Sequence, residues 1–197
     1  MRHSTEILFG DSNEFIGMVV MTNPGRFEFK NTLGWEDFKS GKGSAYTFEA
    51  SDYPDLSMQN VIEVVRRAYE LSGKGKPDGT LRVYNLSNVR HAAGHEAEIY
   101  HNKAKIALTS ANISLLEDPI THNREEFLNE CNKAGFVIMG FVNGAFNQKM
   151  RQILSWSEQV SSLVYAMDKN GHYSHPRRWR TDLSLKNQVI SSLQSVL

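Results

Sequence analysis

Four short apolar runs along the chain have strand character: "GMVVMT" at 17–22, "LRVYNL" at 81–86, "GFVIMGFV" at 135–142 and "SSLVYAM" at 161–167, of which the first and third are nearly continuous in apolar side chains. Continuous rather than alternating runs suit strands covered on both faces, so they predict a parallel sheet. Between them the spacing becomes helical. In 57–72, Val61, Val64, Val65, Ala68 and Leu71 fall on one face, with Ser57 as the cap and Gly73 as the terminator. In 121–134, Thr121 caps a stripe of Phe127, Leu128 and Cys131, and Gly135 ends it. In 144–156 the stripe is Phe146, Met150, Ile153 and Leu154, and a last helix from Asp182 buries Val189, Ile190, Leu193 and Val196. Strands alternating with helices predict an α/β layer fold around a mostly parallel sheet. Two stretches, 26–56 and 87–120, keep no clear period. Segments of that length in a compact domain are functional loops or extra small elements.

Composition narrows this only in part. A chain of 197 residues with 40% hydrophobic content can bury one substantial core, and we read it as a single domain over 1–197. Lys plus Arg and Asp plus Glu both number 22, so net charge selects no partner. From Gly144 onward, however, seven basic residues face three acidic ones, a local excess that suits either phosphates or a solvated face. The single cysteine, Cys131, excludes an intramolecular disulfide, fits a reducing compartment and sits where a small hydrophobe would pack. With neither a signal-like segment nor an apolar stretch of bilayer length, the expectation is a cytoplasmic protein without a membrane partner.

The chemistry collects at the strand ends, where open α/β sheets bind their ligands. The four runs lead into Thr22-Asn23-Pro24-Gly25, Asn85-Leu86-Ser87-Asn88, Phe141-Val142-Asn143-Gly144 and "NGHYSHPRRW" at 170–179. Amides, a histidine and arginines gather there. A catalytic cysteine or a carboxylate cluster does not. Proline removes a donor and biases Asn23 away from helical geometry, and Gly25 permits a sharp turn. The tripeptide reads either as a device that holds an amide rigidly in a pocket or as an ordinary strand-ending turn. "HPRRWR" offers a proline-braced imidazole, phosphate partners and a stacking wedge, or else a structural turn with solvated arginines.

Two other candidates fall away. His91 and His95 are four apart with His101 nearby, but the order is not HExxH and Gly94 weakens a helix there, so exposed or structural histidines are expected and no metal. The glycines of "SGKGSAY" and "SGKGKPDG" lack the spacing of a phosphate-binding loop and read as flexible turns.

Taken in order, the strand ends resemble those of the uracil-DNA glycosylase superfamily. Met21-Thr22-Asn23-Pro24-Gly25 is similar to the Gly-Xaa-Asn-Pro-Gly motif of its mismatch-specific branch. His175-Pro176-Arg177-Arg178 is similar to the His-Pro-Ser loop that enters the DNA minor groove, and Asn85 looks like the asparagine that reads the base edge. The chain also resembles a family of small bacterial and phage proteins of unassigned function. The shared pattern there falls on Asn23-Pro24-Gly25, Asp55-Leu56-Ser57, Asn85-Leu86 and Gly171 to Pro176, with insertions near 26–52 and 90–118. The resemblance implies a three-layer α/β/α fold on a four-stranded sheet, and a monomeric DNA glycosylase without cofactor. The Asp-Pro-Tyr of the uracil-specific enzymes is missing, and Arg177 stands where their loop has serine, which turns the expectation from uracil to a larger modified base.

What the resemblance implies for the residues follows from the reaction. N-glycosidic hydrolysis of a flipped nucleotide needs a positioned water on one side of the sugar and hydrogen-bond donors at the leaving base. Asn23 would orient the water, His175 would stabilise the departing base, and Asn85 and Asn143 would face its edge. Phe27 or Phe29 would stack on it or simply pack in the core. Asp55 would assist the water or only favour the start of a helix. Arg177, Arg178 and Trp179 would grip phosphates or fill the vacated stack. A substrate consistent with this is phage DNA carrying glucosylated hydroxymethylcytosine, attacked in antiviral defence. Two other classes stay open: a non-catalytic nucleic-acid or nucleotide binding module, and a hydrolase of free modified nucleosides.

Overall fold

The computed structural model describes residues 5–25, 27–29, 32–42, 48–110 and 118–197. Parts of the two insertions near 26–52 and 90–118, and of "SGKGSAY", lie outside the described residues. Five strands form one sheet in the order β1-β3-β2-β4-β5. They are β1 (Thr5–Phe9), β2 (Phe15–Met21), β3 (Gly79–Asn85), β4 (Val137–Gly140) and β5 (Leu163–Val164). The last four are mutually parallel, as their apolar runs predict. β1 is an addition to the four expected strands, pairing antiparallel with β3 at the sheet edge.

Helices cover both faces of the sheet. On one side α2 (Leu56–Leu71) and α6 (Leu183–Val196) bury Val61, Val64, Val65, Leu185, Val189 and Leu193 against Val19 and Met21. On the other, Phe127 and Cys131 of α4 (Arg124–Lys133), Ile153 of α5 (Asn147–Ser157) and Ala97 of α3 (Gly94–Ser110) pack on Met18, Val20 and Met139. Successive residues of β2 thus serve opposite cores, which is why its run is apolar at every position. Burial pushes the Cys131 thiol up to about 12, as suits a packed rather than a reactive sulfur. No helix among the described residues is long and apolar enough to cross a membrane.

Several boundaries differ from the sequence expectation. Asp55, not Ser57, caps α2, its carboxylate accepting from Met58 N at 3.0 Å. Asn123, not Thr121, caps α4 and accepts from Glu125 N and Glu126 N. Thr121 closes the short 3-10 turn Pro119–Thr121, and its hydroxyl donates to Asn85 O at 2.9 Å. Leu71, expected on the apolar face of α2, is 44% exposed at the end of that helix. Two helices lie within the stretches that showed no period: α1 (Trp35–Lys39) and α3. α3 starts at the very glycine that argued against it.

One close approach fixes the site. Gly140 ends β4, and a Cβ placed there would lie 2.6 Å from Pro176 Cδ and 3.0 Å from its Cγ. Asn60, buried on α2, donates to Pro176 O at 2.9 Å and holds the proline from its other side. We predict that Gly140→Ala lowers stability by about 1–3 kcal/mol through overpacking. Urea denaturation of the variant beside the parent checks this, and an unchanged midpoint would contradict it.

Candidate functional site at the carboxyl edge of the sheet

The strand register lines up the site. Met21 pairs with Asn85 on one side and with Gly140 on the other. Asn23 follows Met21 by two residues, and His175 precedes the proline seated on Gly140. Asn23, Asn85 and His175 therefore lie near the carboxyl ends of neighbouring strands, although the cleft described below is lined by His175 and by neither asparagine. Thr22, fully buried, ties the strand ends together: its carbonyl accepts from Ser87 N at 3.2 Å, and its hydroxyl accepts from Val142 N at 2.8 Å. Neither Thr22 nor Asn60 was singled out from the sequence. A polar residue in an otherwise apolar helical stripe was the available signal for Asn60.

Asn23 is only 7% exposed, and its amide nitrogen donates to His91 O at 2.7 Å and to Val89 O at 3.4 Å. Those two acceptors set the amide orientation, because the nitrogen must face the carbonyls. Oδ1 points the other way and takes no hydrogen bond among the described residues. Gly25 follows in the left-handed region at φ 61°, so the strand exits through a turn that glycine accepts without strain.

Asn85 is 1% exposed. Its backbone is fully used, N–H donating to Asp118 Oδ2 at 2.8 Å and C=O accepting from Thr121. Its side chain is not: Oδ1 and Nδ2 are both buried without a partner among the described residues. Leaving such a group unmet costs about 1–3 kcal/mol, an unusual expense unless something else occupies the position.

His175 caps the 3-10 turn Pro176–Arg180, its Nδ1 accepting from Arg177 N at 3.2 Å. The proton of the neutral ring therefore sits on Nε2. Burial pushes the imidazole down to about 4; nearby Asp55 opposes this and Arg177 adds to it. Asp55 spends one oxygen on its helix cap, so the helix-start role is real, yet it lies close enough to His175 to act on it.

Three residues per turn decides which side chains of the 3-10 segment face out. Pro176 and Trp179 are buried, whereas Arg177 and Arg180 are exposed. Trp179 is therefore not a DNA-contacting wedge: it is 0% exposed in the core, its indole N–H donating to Ser174 Oγ at 3.1 Å. Arg180 takes its place in the site. With Arg177, Arg178, His175, Asn143 and Tyr173 it lines a cleft of about 510 Å³. Arg178 is held by Asp168 at 2.9 Å, which lowers that carboxyl to about 2 with help from the backbone N–H groups of His172 and Asn170.

Phe27 and Phe29 do not line this cleft. Their rings lie edge to face at 5.2 Å, and Phe29 continues into a cluster with Trp35 and Phe48. The histidines of the second insertion separate: His91 is half-buried beside Tyr100, His95 is exposed, and His101 is buried against Ser87 Oγ at 2.8 Å. Among the described residues no group of three or more His, Cys, Asp or Glu is placed to hold a metal ion. Comparison with protein-family models, with curated proteins and with solved structures found no match.

The His175 environment has a pH consequence. Between pH 6.5 and about 4 the unfolded chain binds a proton that the folded chain refuses. His175 therefore lowers stability as pH falls through that window and adds no further loss below it. His175→Gln should flatten the stability profile there, and the His175 ring should titrate by NMR near pH 4. A midpoint near 6.5 would contradict the assignment.

Proposed function

We propose that the protein is a monofunctional DNA N-glycosylase of the uracil-DNA glycosylase type, acting on a flipped modified base. The observation that carries this reading is the neutral, proline-braced His175, presenting an Nε2–H donor at the sheet edge it shares with Asn23 and Asn85. A base leaving an oxocarbenium-like sugar takes the bonding electron pair, and a fixed neutral donor stabilises that developing charge without surrendering its proton early. A cationic histidine would instead attract phosphate, and its depressed pKa keeps it from being one.

In this reading the C1′–N bond breaks as water adds to C1′. Asn23 Oδ1, its nitrogen already engaged, accepts from that water and orients it. Asp55, near His175, takes the water's proton through the oxygen its cap leaves free, and the base leaves with a proton supplied by solvent. Asn85 meets the base edge with both halves of its unpartnered amide. Asn143 borders the cleft on the exposed side, and Arg177, Arg178 and Arg180 face the backbone phosphates. Glucosylated hydroxymethylcytosine of phage DNA is the substrate we assign, with antiviral defence in the cytoplasm as the role of a monomeric enzyme.

The test is incubation with modified phage DNA, unmodified DNA and free nucleosides, followed by detection of abasic sites and released base. Release is expected from modified DNA alone. Asn23→Ala and His175→Ala should each lower it by about 10²–10³-fold. Tight binding without release would favour the non-catalytic binding module, and release from free nucleosides would favour the nucleoside hydrolase.

A separate outcome concerns the arginines. Arg177→Ala and Arg180→Ala should weaken binding to modified and unmodified duplexes alike, each reducing the salt slope of log K by about one. Salt titration of binding by fluorescence anisotropy reads this directly. An unaltered slope would remove both from the phosphate contacts.

A further inference from the structure

The first insertion builds a packed aromatic cluster beside the sheet edge. Phe27, Phe29, Trp35, Phe38 and Phe48 pack with ring centroids 5.2–5.9 Å apart, and the Arg90 guanidinium lies 5.8 Å from the Trp35 ring. Two donors in this cluster are buried without a partner among the described residues: Trp35 Nε1–H, on a residue only 9% exposed, and Arg90 Nε–H. An apolar cluster gains nothing from one orphaned donor, let alone two adjacent ones. Phenylalanine at position 35 would pack against the same rings and remove one of the two unmet donors.

The cluster is tied to the sheet edge from two directions. Phe27 and Phe29 follow the Asn23-Pro24-Gly25 turn directly. Arg90 sits between Val89 and His91, whose carbonyls both accept from the Asn23 amide. A ligand reacting beside Asn23 therefore lies next to this cluster, where a substituent could meet it.

We propose that Trp35 and Arg90 form a recognition subsite for a hydroxylated saturated ring carried by the target base; this rests on the glycosylase reading and names the residues that select its substrate. Three features choose such a ring over a phosphate. The orphaned N–H groups call for oxygen acceptors. Glu28, 3.4 Å from Arg90 Nη2, accepts from hydroxyls and repels phosphate. Aromatic faces are electron-rich and suit the C–H surface of a sugar. Neither nitrogen is open in the free chain, so the ring enters by displacing the atoms that cover them. Satisfying two buried donors supplies the difference in free energy between the closed and occupied forms.

The experiment compares binding of three duplexes, carrying a single glucosylated hydroxymethylcytosine, hydroxymethylcytosine or cytosine, to the parent protein, Trp35→Phe and Arg90→Gln. Trp35→Phe keeps the ring and removes only the N–H. It should bind the glucosylated duplex at least 10-fold more weakly, bind the cytosine duplex as before, and melt at the same or a higher temperature because an unmet donor is gone. Arg90→Gln should show the same selective loss. Equal affinity for the glucosylated duplex, an equal loss for all three duplexes, or a Trp35→Phe protein that melts several degrees lower would each overturn the subsite. Selective loss in a protein that releases no base keeps the subsite and overturns the catalytic reading. Base release without selective loss overturns the subsite alone.

Discussion

The site depends on a proline ring resting on a residue with no side chain. Pro176 occupies the space a Cβ of Gly140 would fill, and Asn60 fixes its carbonyl from α2. Because Gly140 stands in register with Met21, and Met21 with Asn85, this single contact sets His175 against two other strand ends. The 3-10 turn that begins at Pro176 then sorts its residues by threes, Trp179 into the core and Arg177 and Arg180 toward the cleft. Without the glycine the loop would stand off the sheet and its arginines would have no fixed relation to the asparagines.

Polar groups at this edge divide into those already used and those left over. Thr22, Asn60 and the nitrogen of Asn23 are committed to holding strand ends and loops together. Asn85 and Trp35 bury polar atoms that hold nothing. A folded chain stands only about 5–15 kcal/mol above its unfolded state, so several unmet groups in one region are a substantial concession of stability. Their concentration around one sheet edge and the aromatic cluster beside it is what a preformed binding surface requires. The depressed histidine belongs to the same economy: burial denies it a charge and leaves it a pure donor.

Much of the architecture was legible because the central strands β2 and β4 are apolar at every position, a pattern loops do not produce. β1 escaped notice because it is a half-exposed edge strand, turning Ile7 and Phe9 inward and Glu6 and Leu8 outward over only five residues. α3 escaped because its buried positions are Gly94, Ala97 and His101, two small residues and a polar one, which make no hydrophobic stripe. At the site, the strand-end amides and His175 could be read directly, since short motifs at strand ends carry their own geometry. Trp179 could not, because an aromatic beside arginines suggests an exposed wedge until the three-residue period of its turn is known. Trp35 and Arg90 carried no sequence signal: what singles them out is one buried N–H on each that meets no acceptor among the described residues, a property of the folded chain alone.

The central claim is that one substituted nucleobase meets strand-end side chains, Asn85 and His175, together with Trp35 of α1. The most direct measurement is ¹⁵N NMR of the side-chain signals of Asn85, His175 and Trp35, in the free protein and bound to a duplex carrying a 2′-fluoro, cleavage-resistant glucosylated hydroxymethylcytosine. The account predicts that the Asn85 amide, the His175 Nε2–H and the Trp35 indole N–H all shift together with this duplex and stay in place with its cytosine counterpart. Shifts confined to arginine signals, identical for both duplexes, would contradict it.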